Sequence, residues 1–325
     1  MQRIRPLPLL AGLLILGLLS LWFNLNTGTL QLHLLDALRH PHSLDAQVLR
    51  ELRLPRAANA FMTGALLGIA GTLMQVLLRN PLADPYILGV SGGASVGALL
   101  ALSAGAGALV LHSAAFAGAL VSMLLVFSLA HGRGSWDTTR LLLTGVVLAA
   151  GWGAVISLLL ALGNNNQLQG MLFWLMGDLG FVRTSLVGAV ALLLVVPSAM
   201  LLAPALNLLA GGELRAAALG IEVPRLRILV YVLASLSTAS AVTQAGNIGF
   251  VGLVAPHMLR LAGARDHRVL VPAVVLLGGT LLSLADALSR LLIEPRQLPV
   301  GILTALLGVP LFLFLLFRAQ RLTHD

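Results

Sequence analysis

The sequence contains no cysteine and no lysine, and each absence excludes a kind of chemistry. Without cysteine the chain can form neither disulfide bonds nor thiolate metal sites. All 20 basic residues are arginine, so the phosphate-binding loop Gly-x-x-x-x-Gly-Lys-Ser/Thr, which requires lysine, does not occur. If this chain works with ATP, another polypeptide has to bind the nucleotide.

Charged residues are also scarce, at 10% of the chain, whereas hydrophobic residues make up 58%. This balance is far from that of a soluble domain. Apolar runs of about 18 residues or more predict membrane-spanning helices, because backbone polar groups in hydrocarbon have to be satisfied within the helix. The net charge of +8 does not indicate nucleic-acid binding, because the arginines stand singly between apolar runs. The composition predicts an all-α integral membrane protein.

About ten transmembrane helices are expected, in a single domain over residues 1–325. The candidate segments cover approximately 7–23, 57–78, 88–110, 113–130, 140–162, 184–203, 228–246, 249–262, 269–291 and 299–317. The eighth is too short to cross comfortably and contains Pro256, which predicts a half-span or a broken helix. The first begins like a signal peptide, but its long apolar part and the lack of a clear cleavage site favour an uncleaved span.

The arginine distribution predicts the orientation of these spans. An even number of spans places both termini on one side of the membrane. With the termini inside, 13 arginines fall on the inner side and seven on the outer side. The inner ones are Arg3, Arg5, Arg79, Arg133, Arg140, Arg215, Arg225, Arg227, Arg260, Arg265, Arg268, Arg318 and Arg321, and the outer ones are Arg39, Arg50, Arg53, Arg56, Arg183, Arg290 and Arg296. Because cytoplasmic loops carry the excess of basic residues, both termini are expected in the cytoplasm.

Four of the outer arginines fall in the connection 28–56, and two interpretations of it are open. It is either an amphipathic helix in the membrane interface or a segment in which Arg53 and Arg56 form an outward-facing docking point for an acidic partner. Farther along, Asp286 and Arg290 stand four residues apart, acid first, which is the favourable order for an intrahelical pair. Their position near the end of a span favours a structural pair or an interface anchor over a proton relay.

The remaining polar residues of the spans indicate no catalytic or metal centre. His257 lacks a second ligand at metal-binding spacing, which favours local hydrogen bonding over metal coordination. The run Gly-Asn-Asn-Asn-Gln at 163–167 is typical of a helix end, with a substrate-lining role as the minor alternative. No nucleophile–base arrangement stands out, so transport is favoured over enzymatic catalysis. The transport could be driven by a separate ATPase, or the chain could be an ion-coupled carrier or channel.

Residues 211–227 interrupt the apolar sequence with five ionisable side chains. The pattern predicts a short helix over 213–219, with an acid in the first turn and Gly220 at the position that ends the helix. Two interpretations are open for the surrounding loop, about 205–227. It is either a plain surface hairpin between two spans or the cytoplasmic surface on which an ATPase pushes.

Four segments carry a resemblance to a known family. They are 53–98, beginning RLPRAANAFMTGALLG; 246–273, beginning GNIGFVGLVAPH; LADALSR at 284–290; and 298–316, beginning LPVGILTALLGVP. In this order and at this spacing they resemble the FecCD/BtuC-type permeases, the membrane subunits of bacterial ABC importers for iron–siderophores, haem and cobalamin. The resemblance implies a homodimer in the inner membrane, in contact with lipid and with no nucleic-acid partner. Two cytoplasmic ATPase subunits would hold ATP and Mg, so this chain itself would bind no cofactor.

The resemblance also implies roles for individual residues. The ATPase-coupling helix would comprise Glu213, Leu214, Arg215, Ala216, Ala217, Ala218, Leu219 and Gly220. A periplasmic substrate-binding protein would dock on Arg53, Arg56 and Arg290. The cytoplasmic gate would be Thr138 and Thr139. The choice among siderophore, haem and cobalamin is not implied.

Overall fold

The computed structural model describes residues 5–28, 34–130, 138–180, 186–293 and 296–321, and every regular element in these ranges is a helix. In chain order the helices are α1 Pro6–Asn26, α2 Leu34–Arg39, α3 Leu44–Val48, α4 Leu54–Leu77, α5 Val90–Ser103, α6 Ala108–Ala130, α7 Thr138–Leu162, α8 Asn165–Leu175, α9 Leu186–Ala210, α10 Glu213–Ala218, α11 Val223–Ala245, α12 Val251–Leu261, α13 His267–Leu291 and α14 Val300–Arg321. A π-helical turn over Leu49–Arg53 joins α3 to α4, and a 3-10 turn over Pro85–Leu88 precedes α5.

Within the residues that the structure describes, seven segments are long and apolar enough to cross a membrane. They are α1, the continuous segment Leu44–Leu77, α6, α7, α9, α11 and α13, and α5, α12 and the apolar part of α14 are shorter. Each of the ten predicted segments therefore contains an apolar helix, and the all-α membrane class is confirmed. Of the arginines counted for the orientation, Arg3, Arg133 and Arg183 lie outside the described residues.

The clearest difference from the predicted segments is at α5, and α8 is an additional helix. α5 ends at Ser103 instead of 110, because Gly105 turns the chain with a left-handed backbone. α12 has only 11 residues and contains Pro256, as expected of a half-span. The run 163–167 does not only end a span. Asn164, with an extended backbone, occupies the N-cap position of α8, a position that asparagine favours, although its side chain makes no capping hydrogen bond there.

α4 lies at the centre of the bundle and packs against α9, α11, α12 and α13. Glycines allow two of these contacts. A Cβ on Gly64 would lie 2.2 Å from the carbonyl oxygen of Gly278 in α13, and a Cβ on Gly71 would lie 1.7 Å from that of Gly252 in α12. Such close backbone approach increases the van der Waals contact between the helices. This contact stabilises their association in lipid, where the hydrophobic effect cannot.

The two ends of α4 are far apart. Its 24 residues correspond to about 36 Å at 1.5 Å per residue. Arg56 lies in the first turn, and Arg79 follows the last turn. Each of these arginines belongs to a separate polar cluster, and the candidate functional residues divide between the two.

Candidate functional site

A buried carboxylate joins three helices at the N-terminal end of α4. Asp286 of α13 has no exposed surface. Its Oδ1 lies 3.0 Å from Nη2 of Arg56, and its Oδ2 lies 3.1 Å from Nη2 of Arg290. The Nδ2 of Asn24 in α1 also donates to Oδ2, at 3.1 Å. These four residues and Arg53 are named the Asp286 cluster. The predicted pair of Asp286 and Arg290 is present, and its partners satisfy a charge that would be very unfavourable if buried alone.

Two arginines of this cluster hold the C-terminal end of α1. Arg290 donates from Nη1 to the carbonyl oxygen of Thr27 at 2.6 Å and from Nη2 to that of Asn24 at 3.0 Å. Arg53 donates from Nη1 to the carbonyl oxygen of Leu25 at 2.6 Å. The last carbonyl groups of a helix lack partners within the helix and carry partial negative charge. Guanidinium groups satisfy both needs, so Arg53 and Arg290 fix α1 against α4 and α13.

The three predicted docking arginines thus converge, but they are not equally accessible. Arg53 is 6% exposed and Arg290 is 5% exposed. The Arg56 side chain is 14% exposed and also donates to Oε1 of Gln297 at 2.8 Å. Arg56 is therefore the one that an acidic partner can reach with the least rearrangement, and the docking role remains a prediction.

A cavity of about 780 Å³ borders the Asp286 cluster. Arg53, Arg56 and Arg290 line it together with the exposed residues Arg50 and Glu51. The cavity gives the cluster a basic opening at this end of the bundle. A carboxylate from outside the chain would meet guanidinium groups there.

At the other end, the predicted short helix is present as α10, Glu213–Ala218. The helix ends at Ala218, and Gly220 follows two residues later with a φ of +84°, the left-handed backbone that glycine adopts readily after a helix. Because α9 continues to Ala210 and α11 starts at Val223, the connection between them is shorter than the predicted loop 205–227.

α10 divides into an apolar exposed side and an anchored side. Leu214 is 90% exposed and Leu219 is 58% exposed, and Ala217 and Ala218 are also exposed. These four residues are named the α10 surface. Arg215 and Gly220 are exposed as well, whereas Ala216 is fully buried. Glu213 pairs with Arg79 and Arg227 of the same chain.

The end of α9 that leads into α10 is tied to α13. Asn207 donates from Nδ2 to Oδ1 of Asp266 at 2.7 Å and accepts from the backbone N–H of His267 at 2.9 Å. The hydrogen bond from the backbone N–H of Arg268, together with that from Asn207, lowers the pKa of the exposed Asp266 carboxyl. The α10 region is therefore connected to the bundle at two points, through Asn207 in the preceding helix and through Glu213 at the start of α10.

The predicted gate and the lone histidine occupy other parts of the bundle. α7 begins at Thr138, whose side chain lies outside the described residues, and Thr139 is exposed in the same turn. The His257 ring packs edge-on against Phe312, with ring centroids 5.7 Å apart. Within the described ranges, no three His, Cys, Asp or Glu side chains are grouped as a metal site would require.

A bundle of apolar helices with polar clusters at opposite ends defines a multi-span integral membrane protein. More narrowly, the chain belongs to the FecCD transport family, whose model matches residues 10–318. The resemblance noted in the sequence is confirmed. Proteins of this family are transport permease subunits and not catalytic ones.

Relatives and a solved structure match most of the chain. The cobalamin import system permease protein BtuC of Halobacterium salinarum is 44% identical over 268 residues, which are 82% of this chain and 72% of that protein. The hemin transport system permease protein HmuU of Yersinia pestis is 38% identical over 329 residues, with 98% of both chains covered. A metal-chelate type ABC transporter, solved in an inward-facing conformation, matches with a TM-score of 0.85 and 32% identity over 95% of this chain and 98% of that chain.

Proposed function

We propose that this chain is the transmembrane permease of an ATP-driven ABC importer, which carries an iron chelate (a siderophore complex or haem) or cobalamin across the bacterial inner membrane. The observation that carries the proposal is family membership over residues 10–318, with relatives named for cobalamin and hemin import. The protein works as a homodimer with both termini in the cytoplasm. Two ATPase subunits and a periplasmic binding protein complete the importer.

The α10 surface supports the coupling role of residues 213–220. A helix that presents Leu214 and Leu219 to solvent beyond the apolar spans has an unfavourable surface unless a protein covers it. The ATPase subunit covers it in this proposal. Because the chain contains no lysine-based phosphate loop, ATP and Mg bind to that subunit.

The Asp286 cluster supports the docking role of Arg53, Arg56 and Arg290. The binding protein brings acidic side chains to the cavity beside the cluster, and Arg56 makes the first contact because it is the most exposed of the three. Arg53 and Arg290 shape the docking site by holding α1 in place. Thr138 and Thr139 close the pathway at the opposite side of the membrane, where hydroxyl groups narrow the opening without binding the cargo tightly.

An ion-coupled carrier is the alternative that the proposal has to exclude. Such carriers use intramembrane carboxylates to bind the coupling ion. Asp286 is a buried carboxylate within a span, but two arginines already neutralise it. This arrangement favours a structural role over ion coupling.

Reconstitution in liposomes tests the proposal. The chain is inserted together with an ABC ATPase and a periplasmic binding protein from the same organism, and uptake of labelled cobalamin, haem and ferric siderophores is measured with ATP and Mg. We expect ATP-dependent uptake of the compound that the binding protein binds in a separate titration. Uphill uptake by the chain alone, driven only by a proton or sodium gradient, would show that the proposal is wrong.

A further inference from the structure

Arg79 has a backbone conformation that is unusual for a residue with a side chain. It follows α4 with a φ of +49°, in the left-handed region. The N–H of Arg79 donates to the carbonyl oxygen of Val76 and that of Asn80 to Gln75, the hydrogen bonds of a Schellman helix end. Glycine is the usual residue here, because a Cβ makes the left-handed backbone unfavourable. Because arginine is unfavourable at this position, we expect the contacts of its side chain to compensate.

That side chain reaches the first residue of α10. Nη2 of Arg79 lies 3.4 Å from Oε1 of Glu213. The same oxygen accepts a hydrogen bond from Nη2 of Arg227, near the start of α11. The carboxylate thus joins α10 to groups on two other helices. These three residues are named the Glu213 cluster.

The two ion pairs differ in strength because they differ in exposure. The Arg79 side chain is 51% exposed, and exposed pairs contribute little because water and salt screen them. The Arg227 side chain is 11% exposed and that of Glu213 is 28% exposed. Their pair is screened less, so Arg227 makes the stronger connection and Arg79 the weaker one.

The helices that receive these connections are the central ones. The segment that contains α4 and the helix α11 are the most buried of the seven candidate spans, and they pack directly against each other. A displacement of α10 is therefore transmitted through Glu213 to the interior of the bundle. The lipid-facing helices receive no such connection from this carboxylate among the described contacts.

We propose that Glu213 is a positioning residue that transmits the movement of α10 to α4 and α11 through its pairs with Arg79 and Arg227, and that it does not contact the ATPase. This inference rests on the proposed function, because it assumes that an ATPase moves α10. It separates two tasks within residues 213–220. The α10 surface binds the ATPase, and Glu213 connects that surface to the pathway.

The test measures ATPase binding and transport coupling separately in the reconstituted importer. Glu213→Gln keeps the size of the side chain and removes its charge. We expect the ATPase to co-purify in the same amount as with the wild-type chain, and the rate of ATP hydrolysis to stay within about twofold of the wild-type rate. The number of molecules taken up per ATP should fall severalfold, because a charge-assisted hydrogen bond is lost. Glu222→Gln is the matched control, because it removes a carboxylate of the same connection whose pair with Arg225 is highly exposed. Its uptake per ATP should be unchanged.

Arg79→Gly is a variant whose loss of coupling could not be explained by misfolding. Glycine suits the left-handed backbone, so the thermal stability should be equal or higher, yet uptake per ATP should fall by a smaller factor than in Glu213→Gln. The double variant Glu213→Gln/Arg227→Gln is compared with both single variants, and its loss should be smaller than the sum of their losses because both changes break the same pair. Additive losses in the double variant, or normal coupling in Arg79→Gly and Glu213→Gln, would overturn the inference.

The outcomes also distinguish a failure of the proposed role of Glu213 from a failure of the proposed importer function. If Glu213→Gln releases the ATPase, then the carboxylate belongs to the docking contact, and the inference is wrong while the importer proposal stands. If the wild-type chain neither retains an ATPase nor imports with ATP, then the proposed function itself fails. Normal ATPase retention with reduced uptake per ATP supports both.

Discussion

The guanidinium of Arg56 lies 3.0 Å from the carboxylate of Asp286, a residue with no exposed surface. The arginine predicted to meet an external acid is therefore already paired with an internal one. An acidic partner that docks here would compete with Asp286 for Arg56 or share it. The contribution of Arg56 to docking is therefore the difference between its ion pair with the partner and its ion pair with Asp286. Charged contacts of this kind contribute to specificity and association rate as well as to affinity.

Arg56→Gln tests the docking role at the most exposed of the three arginines. We expect the affinity for the binding protein to fall about tenfold at low salt, since one charged contact is lost. The difference from the wild-type chain should shrink at high salt because exposed charges are screened. Surface plasmon resonance at several ionic strengths measures both effects. An unaltered affinity at low salt would remove Arg56 from the docking site.

Arg290→Met tests the structural role of the same cluster. The change removes the side-chain donor from the carbonyl groups of Asn24 and Thr27 and one of the two cations beside Asp286. Breaking a buried pair typically costs about 3–5 kcal/mol, so the thermal unfolding temperature in detergent should drop clearly. Arg296→Gln, at an exposed arginine nearby, should leave it unchanged. Equal unfolding temperatures for both variants would contradict the structural role.

The sequence predicted the membrane class and the short helix at 213–219 because these depend on local patterns. Long apolar runs specify spans, and an acid followed by glycine six or seven residues later delimits a short helix. α8 was missed because it begins with polar residues and is only 11 residues long. Asn164 was the available signal, since asparagine can begin a helix as well as follow one.

The partners of the candidate residues could not be predicted in the same way. Arg290 bonds to Thr27, 263 positions away, and Glu213 pairs with Arg79, which belongs to a different helix end. Such contacts depend on how helices pack, which local periodicity does not specify. The convergence of Arg53, Arg56 and Arg290 was implied by the family resemblance, but their low exposure and their hold on α1 emerged only from the structure.

Gly71→Ala tests the close packing at the centre of the bundle. The new Cβ would lie 1.7 Å from the carbonyl oxygen of Gly252, so α4 and α12 would have to separate. Overpacking of this kind costs about 1–3 kcal/mol or more, and we expect a lower unfolding temperature and a lower yield of folded protein. Gly153→Ala is the matched control, because its Cβ would meet no atom within 4 Å. A similar loss in both variants would mean that the close contact is not the cause.

Charged substitutions on the α10 surface test the coupling contact itself. Ala217→Asp and Leu219→Asp place a carboxylate on exposed positions, so the fold and membrane insertion should be retained. Burying either carboxylate against a partner would leave an unpaired charge in the interface, which is strongly unfavourable. ATPase co-purification should therefore decrease at least tenfold, and ATP-dependent uptake should be lost. Leu219→Met keeps an apolar side chain of similar volume and should retain both activities. Normal uptake by the two aspartate variants would show that the ATPase binds elsewhere.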